Sequence, residues 1–327
     1  PKGHLSLAAV KKAATWGTAV AAGAGDGLEV LSVDDSPSVE LIKRDTIAGQ
    51  PLDYQGYAGN QVFSGMIKAP LRYEVCERLD ALVLGTAGVP ATVDISAKQH
   101  SLRIKPDLAG IFATVALWEK SGSAERVREY STAKLHSLTH TLKVGGLAEG
   151  EWAFAAHVMA QNTAAGTNNN TTFASVTLPG NRDIAIFRHL KVRVNATSAA
   201  ALADSDKLLY VDEVMIKLER QIKADHFTTQ FGDKISEPQE TGKVKVSGRI
   251  SFSQLIDGTG GSYQSFLDTL SKISNKMDIT MTGDTLAGSA TQYFQRLWQL
   301  PSVQFSGAYK PIGQAGIAPW AVDFEAW

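Results

Sequence analysis

Alternation with a period of two dominates this chain and limits it to a strand-rich fold. In Val244–Phe252 (VKVSGRISF), Val244, Val246, Ile250 and Phe252 fall on one side. Lys245, Ser247, Arg249 and Ser251 fall on the other, as in a strand with one buried face. Val211–Leu218, Leu190–Val194 and His100–Ile104 follow the same rule, and Gly, Asn and Pro clusters separate the runs. Helical spacing is rare. It predicts a helix over Leu71–Leu84, where Leu71, Val75, Leu79 and Leu82 form a stripe that Gly85 can end. It predicts a second over Ser262–Ile273, on Tyr263, Phe266, Leu267, Leu270 and Ile273, and a short one near Leu5–Ala14. The expected fold is mainly β with a few short helices.

Three stretches read as long loops: Gly49–Asn60, Gln161–Asp183 with its AAGTNNNTT and LPGN runs, and Thr228–Gly242 with Pro238. Composition narrows the class of protein. With 44% hydrophobic and 20% charged residues, the 327-residue chain can bury a core and has room for one large or two medium domains. It contains no run of about 18 apolar residues, so no membrane span is expected. Pro1-Lys2-Gly3-His4 lacks the apolar region of a secretory signal. The single cysteine, Cys76, excludes an internal disulfide and a multi-cysteine metal site, which suits synthesis in a reducing cytoplasm. The net charge of -1 argues against a protein that grips DNA phosphates, but not against one that lets DNA slide past.

The two halves echo each other. Phe63-Ser64-Gly65-Met66-Ile67-Lys68 answers to Val246-Ser247-Gly248-Arg249-Ile250-Ser251, and each leads into one of the predicted helices. Short alternating runs follow, Ser101–Lys105 and Met277–Met281, then Leu135–Val144 and Val303–Tyr309. Trp152-Ala153-Phe154-Ala155 and Trp320-Ala321-Val322-Asp323 close the copies, which sets Trp152 and Trp320 at matched positions. The expectation is two tandem β-sandwich or split-barrel domains, 1–165 and 166–327, joined through about 161–183, each with a helix against its sheet. Their exposed strand edges would be closed by neighbouring subunits.

These residues resemble the tail tube proteins of long-tailed bacteriophages. The resemblance lies in Trp16-Gly17-Thr18-Ala19, in Leu28-Glu29-Val30-Leu31, in Phe63–Gly88 and in Val211–Phe252. The last of these has a long strand, a loop bearing Glu237-Pro238 and the VSG strand; the ending, Trp320–Ala326, also fits. The resemblance implies a structural virion protein of the tail, made in the host bacterial cytoplasm. It implies rings whose strands close into one inter-subunit β-barrel around a lumen. Two tandem domains would favour a homotrimer with pseudo-sixfold symmetry, and a single domain a hexamer. Rings would stack around a tape-measure protein and meet terminator and tip proteins, and viral DNA would pass without specific binding. Other virion β-proteins (baseplate, connector, capsid decoration) and a carbohydrate-binding β-sandwich are the alternatives.

No catalytic, cofactor-binding or metal site is expected. His136 and His140 are four apart, but Ser137 follows His136 where a metalloprotease helix needs glutamate, and the segment alternates as a strand. Gly23–Gly27 precedes a strand and lacks the lysine of a phosphate loop, and Gly258–Gly261 lacks it as well. There is no nucleophile elbow. His189, Lys191 and Arg193 lie on one face of a predicted strand, which reads as a phosphate-contacting or lumen-facing stripe or, more simply, as an ordinary solvated or inter-subunit face; Asp204, Asp206, Asp212 and Glu213, nearby in sequence, offer charge pairing between subunits.

Overall fold

The computed structural model describes residues 6–43, 56–94, 97–121, 124–162, 170–179, 183–199, 201–254, 272–286, 288–289, 291–309 and 320–327. Strands come first: β1 (Ser6–Ala13), β2 (Gly27–Leu28), β3 (Ser32–Ile42) and β4 (Tyr57–Pro70). The helix α1 (Cys76–Leu84) follows, then β5 (Gly85–Ala87), β6 (Ala91–Thr92), β7 (Lys98–Gln99), β8 (Leu102–Ile104), β9 (Phe112–Ser121), β10 (Ala124–Lys143), β11 (Glu149–Ala156) and β12 (Met159–Asn162). The remainder is β13 (Leu190–Ala196), β14 (Val211–Glu219), β15 (Lys245–Phe252), β16 (Ser274–Thr285), β17 (Tyr293–Tyr309) and β18 (Trp320–Ala326), with three single-turn 3-10 helices among the described residues before β14. The protein is mainly β, as the alternation predicts.

One sheet of 14 strands carries the fold, with β5·β8 and β6·β7 as small ribbons beside it. Two six-strand arrays make up most of the large sheet. In the first, the order is β1-β9-β10-β11-β4-β3. In the second, it is β13-β16-β17-β18-β15-β14. The arrays join where β14 pairs antiparallel with β10, Ser137 opposite Glu219 through Lys143 opposite Glu213. Among the described residues the sheet does not close: it runs from β13 to β3.

A single apolar cluster backs both arrays, from Ile67, Leu79, Trp152 and Phe154 to Ile250, Met277, Val303 and Phe324. This follows from pairing strands whose apolar residues all face one way. Fully burying each large side chain is worth about 1.5–3 kcal/mol, so the shared core binds the arrays into one body.

The predicted helices fare differently. Over Leu71–Leu84 only Cys76–Leu84 is helical. Leu71 stays in extended backbone, its N–H donating to Ala148 O (2.7 Å). Val75 sits at φ 79, a turn that holds off the helix until Cys76. Gly85 ends it in the left-handed conformation at φ 88, its N–H on Ala81 O. The segment near Leu5–Ala14 is strand β1, not helix, because eight residues pair with β9 and bury Ala8, Ala9 and Ala13. Small apolar residues at helical spacing cannot outweigh a full ladder of hydrogen bonds. The helix predicted at Ser262–Ile273 falls almost wholly outside the described residues.

Two of the predicted loops are packed down. In Thr228–Gly242, Ile235 and Ser236 are buried, and Lys134 reaches into the loop to Glu237 Oε1 (2.8 Å) and Pro238 O (3.0 Å). In the described part of Gln161–Asp183, Thr171 N–H donates to Glu129 Oε2 (2.8 Å) and Thr177 bridges Ala24. Of Gly49–Asn60, the described end belongs to strand β4.

Candidate assembly surfaces

The arrays match residue by residue. Gly65 lies opposite Phe154, and Phe154 opposite Leu135. Gly248 lies opposite Phe324, and Phe324 opposite Phe305. A β-bulge follows in both, between Leu135 and Ser137 and between Phe305 and Gly307. Tyr130 opposite Val115 answers to Leu300 opposite Met277, and there too a bulge intervenes in both arrays. Two end contacts agree as well: His157 N–H donates to Thr132 O (2.9 Å) and Trp327 N–H to Ser302 O (3.1 Å). The tryptophan match fails in this frame. Trp152 faces Ile67, two residues past Gly65, whereas Trp320 faces Phe252, four past Gly248. Trp152 therefore corresponds to Val322, and β9, not Leu102–Ile104, corresponds to β16.

The seam between the arrays is reinforced by buried charge. Arg220, fully buried at the end of β14, donates from Nε to Val83 O (2.7 Å) and from Nη2 to Leu84 O (2.8 Å) and Lys105 O (2.8 Å). A cation on the last carbonyls of α1 complements the helix dipole. Glu240 pairs with its Nη1 at 3.0 Å. Further along, Asp80 on α1 accepts from Trp152 Nε1 (2.9 Å), lies 3.2 Å from His140 Nε2 and pairs with Arg296 of β17. Burial alone would raise the Asp80 carboxyl, but Arg296 and then His140 outweigh it and hold it far below the usual range. Burial likewise depresses His140 despite the adjacent carboxylate.

Opposite the core, the sheet carries a lattice of charge. Lys68, Lys217, Lys245 and Arg249 interleave there with Glu149, Glu151, Glu219, Asp323 and Glu325. Lys68 meets Glu149 (2.8 Å) and Glu151 (3.2 Å), Lys217 meets Glu219 (2.8 Å), Lys245 meets Glu325 (3.3 Å) and Arg249 meets Asp323 (3.9 Å). Ser247 and Ser251 stand between them, as the alternation of β15 requires. Exposed pairs like these add little stability, at most about 1 kcal/mol each. Their effect is to make the face polar without a strong field of either sign.

A third surface is an edge. Among the described residues β3 pairs only with β4, and from Ser36 onward its residues are exposed, among them Val39, Leu41 and Ile42. Unpaired backbone beside exposed apolar side chains on a long strand is a site for another strand.

A family model described as phage tail tube protein matches residues 3–326. The chain belongs to that family. A comparison with curated proteins finds no match. Membership of the tail tube family makes this a structural protein of the virion tail that assembles into a tube. None of the described helices is long and apolar enough to cross a membrane.

The residues singled out from the sequence take structural places in a tail tube protein. His140 joins the Asp80 cluster, while His136 sits at the β10 bulge with its carbonyl accepting from Arg220 N–H (2.8 Å). Lys191 and Arg193 are met within the chain, by Asp204 (2.9 Å) and by Asp278 Oδ1 (3.0 Å from Arg193 Nε). Asp278 lies outside the acidic residues the sequence offered. His189 leaves the strand for a 3-10 turn, where its Nδ1 lies 2.9 Å from Tyr73 Oη. Gly23–Gly27 is a turn closed by Gly23 N–H on Asp26 Oδ2 (3.0 Å). Sequence reasoning missed Asp80, Arg220 and Arg296, whose partners are distant in the chain; charged residues inside otherwise apolar segments were the available signal.

Proposed function

We propose that this chain carries two tail tube units, 1–165 and 166–327, and that three chains close into a ring with pseudo-sixfold symmetry. One observation carries this: the six-strand order recurs with the same register and with bulges at matching positions of β10 and β17, and the two copies are already joined edge to edge at β10·β14. A heterologous contact repeated around an axis closes a ring, and along the axis it stacks rings into a tube. On this proposal the join between units lies within 161–183, between β12 and β13.

The polar face opposite the core would then line the lumen, since α1 and the core occupy the other face. Its paired charges suit a wall that DNA passes without binding, because a basic wall would trade places with counterions and hold the phosphates. On this proposal rings stack around a tape-measure protein, meet terminator and tip proteins at the ends, and are made in the host cytoplasm before joining the tail.

Native mass spectrometry of isolated rings, with electron microscopy of tube cross-sections, tests the proposal. Three chains of 35.0 kDa per ring and threefold rotational symmetry with six similar lobes are expected. A ring of six chains would overturn the two-unit count. Discrete particles without a lumen at high concentration would favour another virion β-protein.

A further inference from the structure

The seam inside the chain specifies the seam between chains. On the repeat, β10 maps to β17 by Leu135 and Phe305, and β14 maps to β3 because Gly248 faces Ile216 as Gly65 faces Asp35. At their N-terminal ends the edge strands also correspond. Glu213 lies opposite Ser251 just past a bulge. Its counterpart Ser32 lies opposite Lys68, while Leu31 N–H donates to the same Lys68 O (2.7 Å).

Past its bulge, β10 turns from β9 to β14 as partner on that flank. Past its own bulge, β17 has left β16 behind at Gln304, and among the described residues only β18 pairs with Gly307–Tyr309. Among the described residues the chain thus has a flank with no strand on it, β17 from Gly307, and a strand with a bare edge, β3. These are the two counterparts of the strands that meet at β10·β14.

We propose that β3 of one chain pairs antiparallel with the C-terminal part of β17 of a second copy, with Ser38 opposite Gly307, Pro37 opposite Ala308 and Ser36 opposite Tyr309. These are the counterparts of Glu219 opposite Ser137, Leu218 opposite Leu138 and Lys217 opposite Thr139. The inference rests on the ring reading above and adds its register.

Pro37 gives the proposal a distinctive chemistry. At the internal seam Arg220 N–H donates to His136 O (2.8 Å) and Val144 N–H to Asp212 O (2.9 Å). Hydrogen-bonded pairs alternate along an antiparallel ladder, so Leu218 and Leu138 form such a pair. Pro37, standing where Leu218 stands, has no N–H to give. The edge keeps its acceptor, the Pro37 carbonyl, for the Ala308 N–H, but lacks one donor. Proline on an edge strand discourages indiscriminate pairing. At this pair the seam between chains is therefore one hydrogen bond poorer than its counterpart within the chain.

The register is testable by disulfide trapping. Ser38 with Gly307, and Ser36 with Tyr309, fall at non-hydrogen-bonded pairs, where Cα atoms approach to about 4.5 Å, within disulfide range. Two double variants, Ser38→Cys with Gly307→Cys and Ser36→Cys with Tyr309→Cys, are assembled, shown by microscopy to form rings, and oxidised. Buried Cys76 remains as an internal spectator. Covalent species of two and three chains are expected on denaturing gels for both. Ser38→Cys with Tyr309→Cys, two residues out of register, and each single variant should stay at one chain. Rings that form normally but cross-link only in the out-of-register pair, or in none, overturn the register and leave the ring reading standing. Failure of the unmodified chain to form rings overturns both. If one in-register variant fails to assemble, the other decides.

Discussion

The Phe154 ring lies over Gly65 on the neighbouring strand, so closely that a Cβ there would stand 2.6 Å from Phe154 Cζ and 2.8 Å from Asp34 O. Gly248 and Phe324 repeat the contact, with Met215 O in place of Asp34 O. Glycine is required at both for close approach. Gly65→Ala and Gly248→Ala should each destabilise the chain by about 1–3 kcal/mol, the range for overpacking. Gly23→Ala, where nothing lies within 4 Å, should change little. Urea unfolding of the unassembled variants checks this, and equal midpoints for all three would refute it.

Asp80 neutralises Arg296 deep in the core that both arrays share. Asp80→Asn keeps the shape but strands a buried guanidinium, which costs about 3–5 kcal/mol. Adding Arg296→Met to Asp80→Asn should recover most of that loss. Calorimetry of the single and double variants measures the coupling; simple additivity would show the pair to be independent.

Acid should loosen the chain in two stages. His140 is held below its usual 6.5 by burial, so the unfolded state takes up a proton first. Stability present above pH 6.5 is then lost as pH falls below it. Asp80 is held below its usual 3.8, so its contribution persists to lower pH and fades only beneath that value. In both cases the unfolded state binds more protons, and stability rises with pH. Denaturant midpoints between pH 8 and 3 provide the readout. His140→Gln should shrink the first stage and leave the remainder to His136 and His157, which burial also depresses.

Cys76 is fully buried, and burial pushes its thiol up to about 11. A thiol reagent at pH 8 should therefore label the folded chain far more slowly than the unfolded one, since the thiolate is the nucleophile. Rapid labelling without denaturant would show that α1 opens locally.

Charge on the proposed lumen wall should govern DNA passage and not assembly. Glu149→Lys, Glu151→Lys and Glu325→Lys together convert a mixed face into a basic one. Rings of unchanged mass but slower DNA release from particles are expected. Unchanged release would place this face away from the DNA.

The sequence by itself determined the strand-rich class, the polar face of β15, the glycine stop of α1 and the likeness of the Ser-Gly strands around Gly65 and Gly248. All of these depend on residues close in the chain, whose side chains alternate whatever the strand pairs with. Only the tertiary structure decided which strands meet. The Trp152 and Trp320 correspondence slipped by two because tryptophan can fill a core from more than one position, whereas a glycine under a ring cannot move. The segment near Leu5–Ala14 became a strand because β9 supplied a ladder that local spacing cannot foresee. Asp80, Arg296 and Arg220 gained their places the same way: a buried charge is tolerable only beside its partners, and Arg296 for Asp80, like the Val83, Leu84 and Lys105 carbonyls for Arg220, arrives from the other half of the chain.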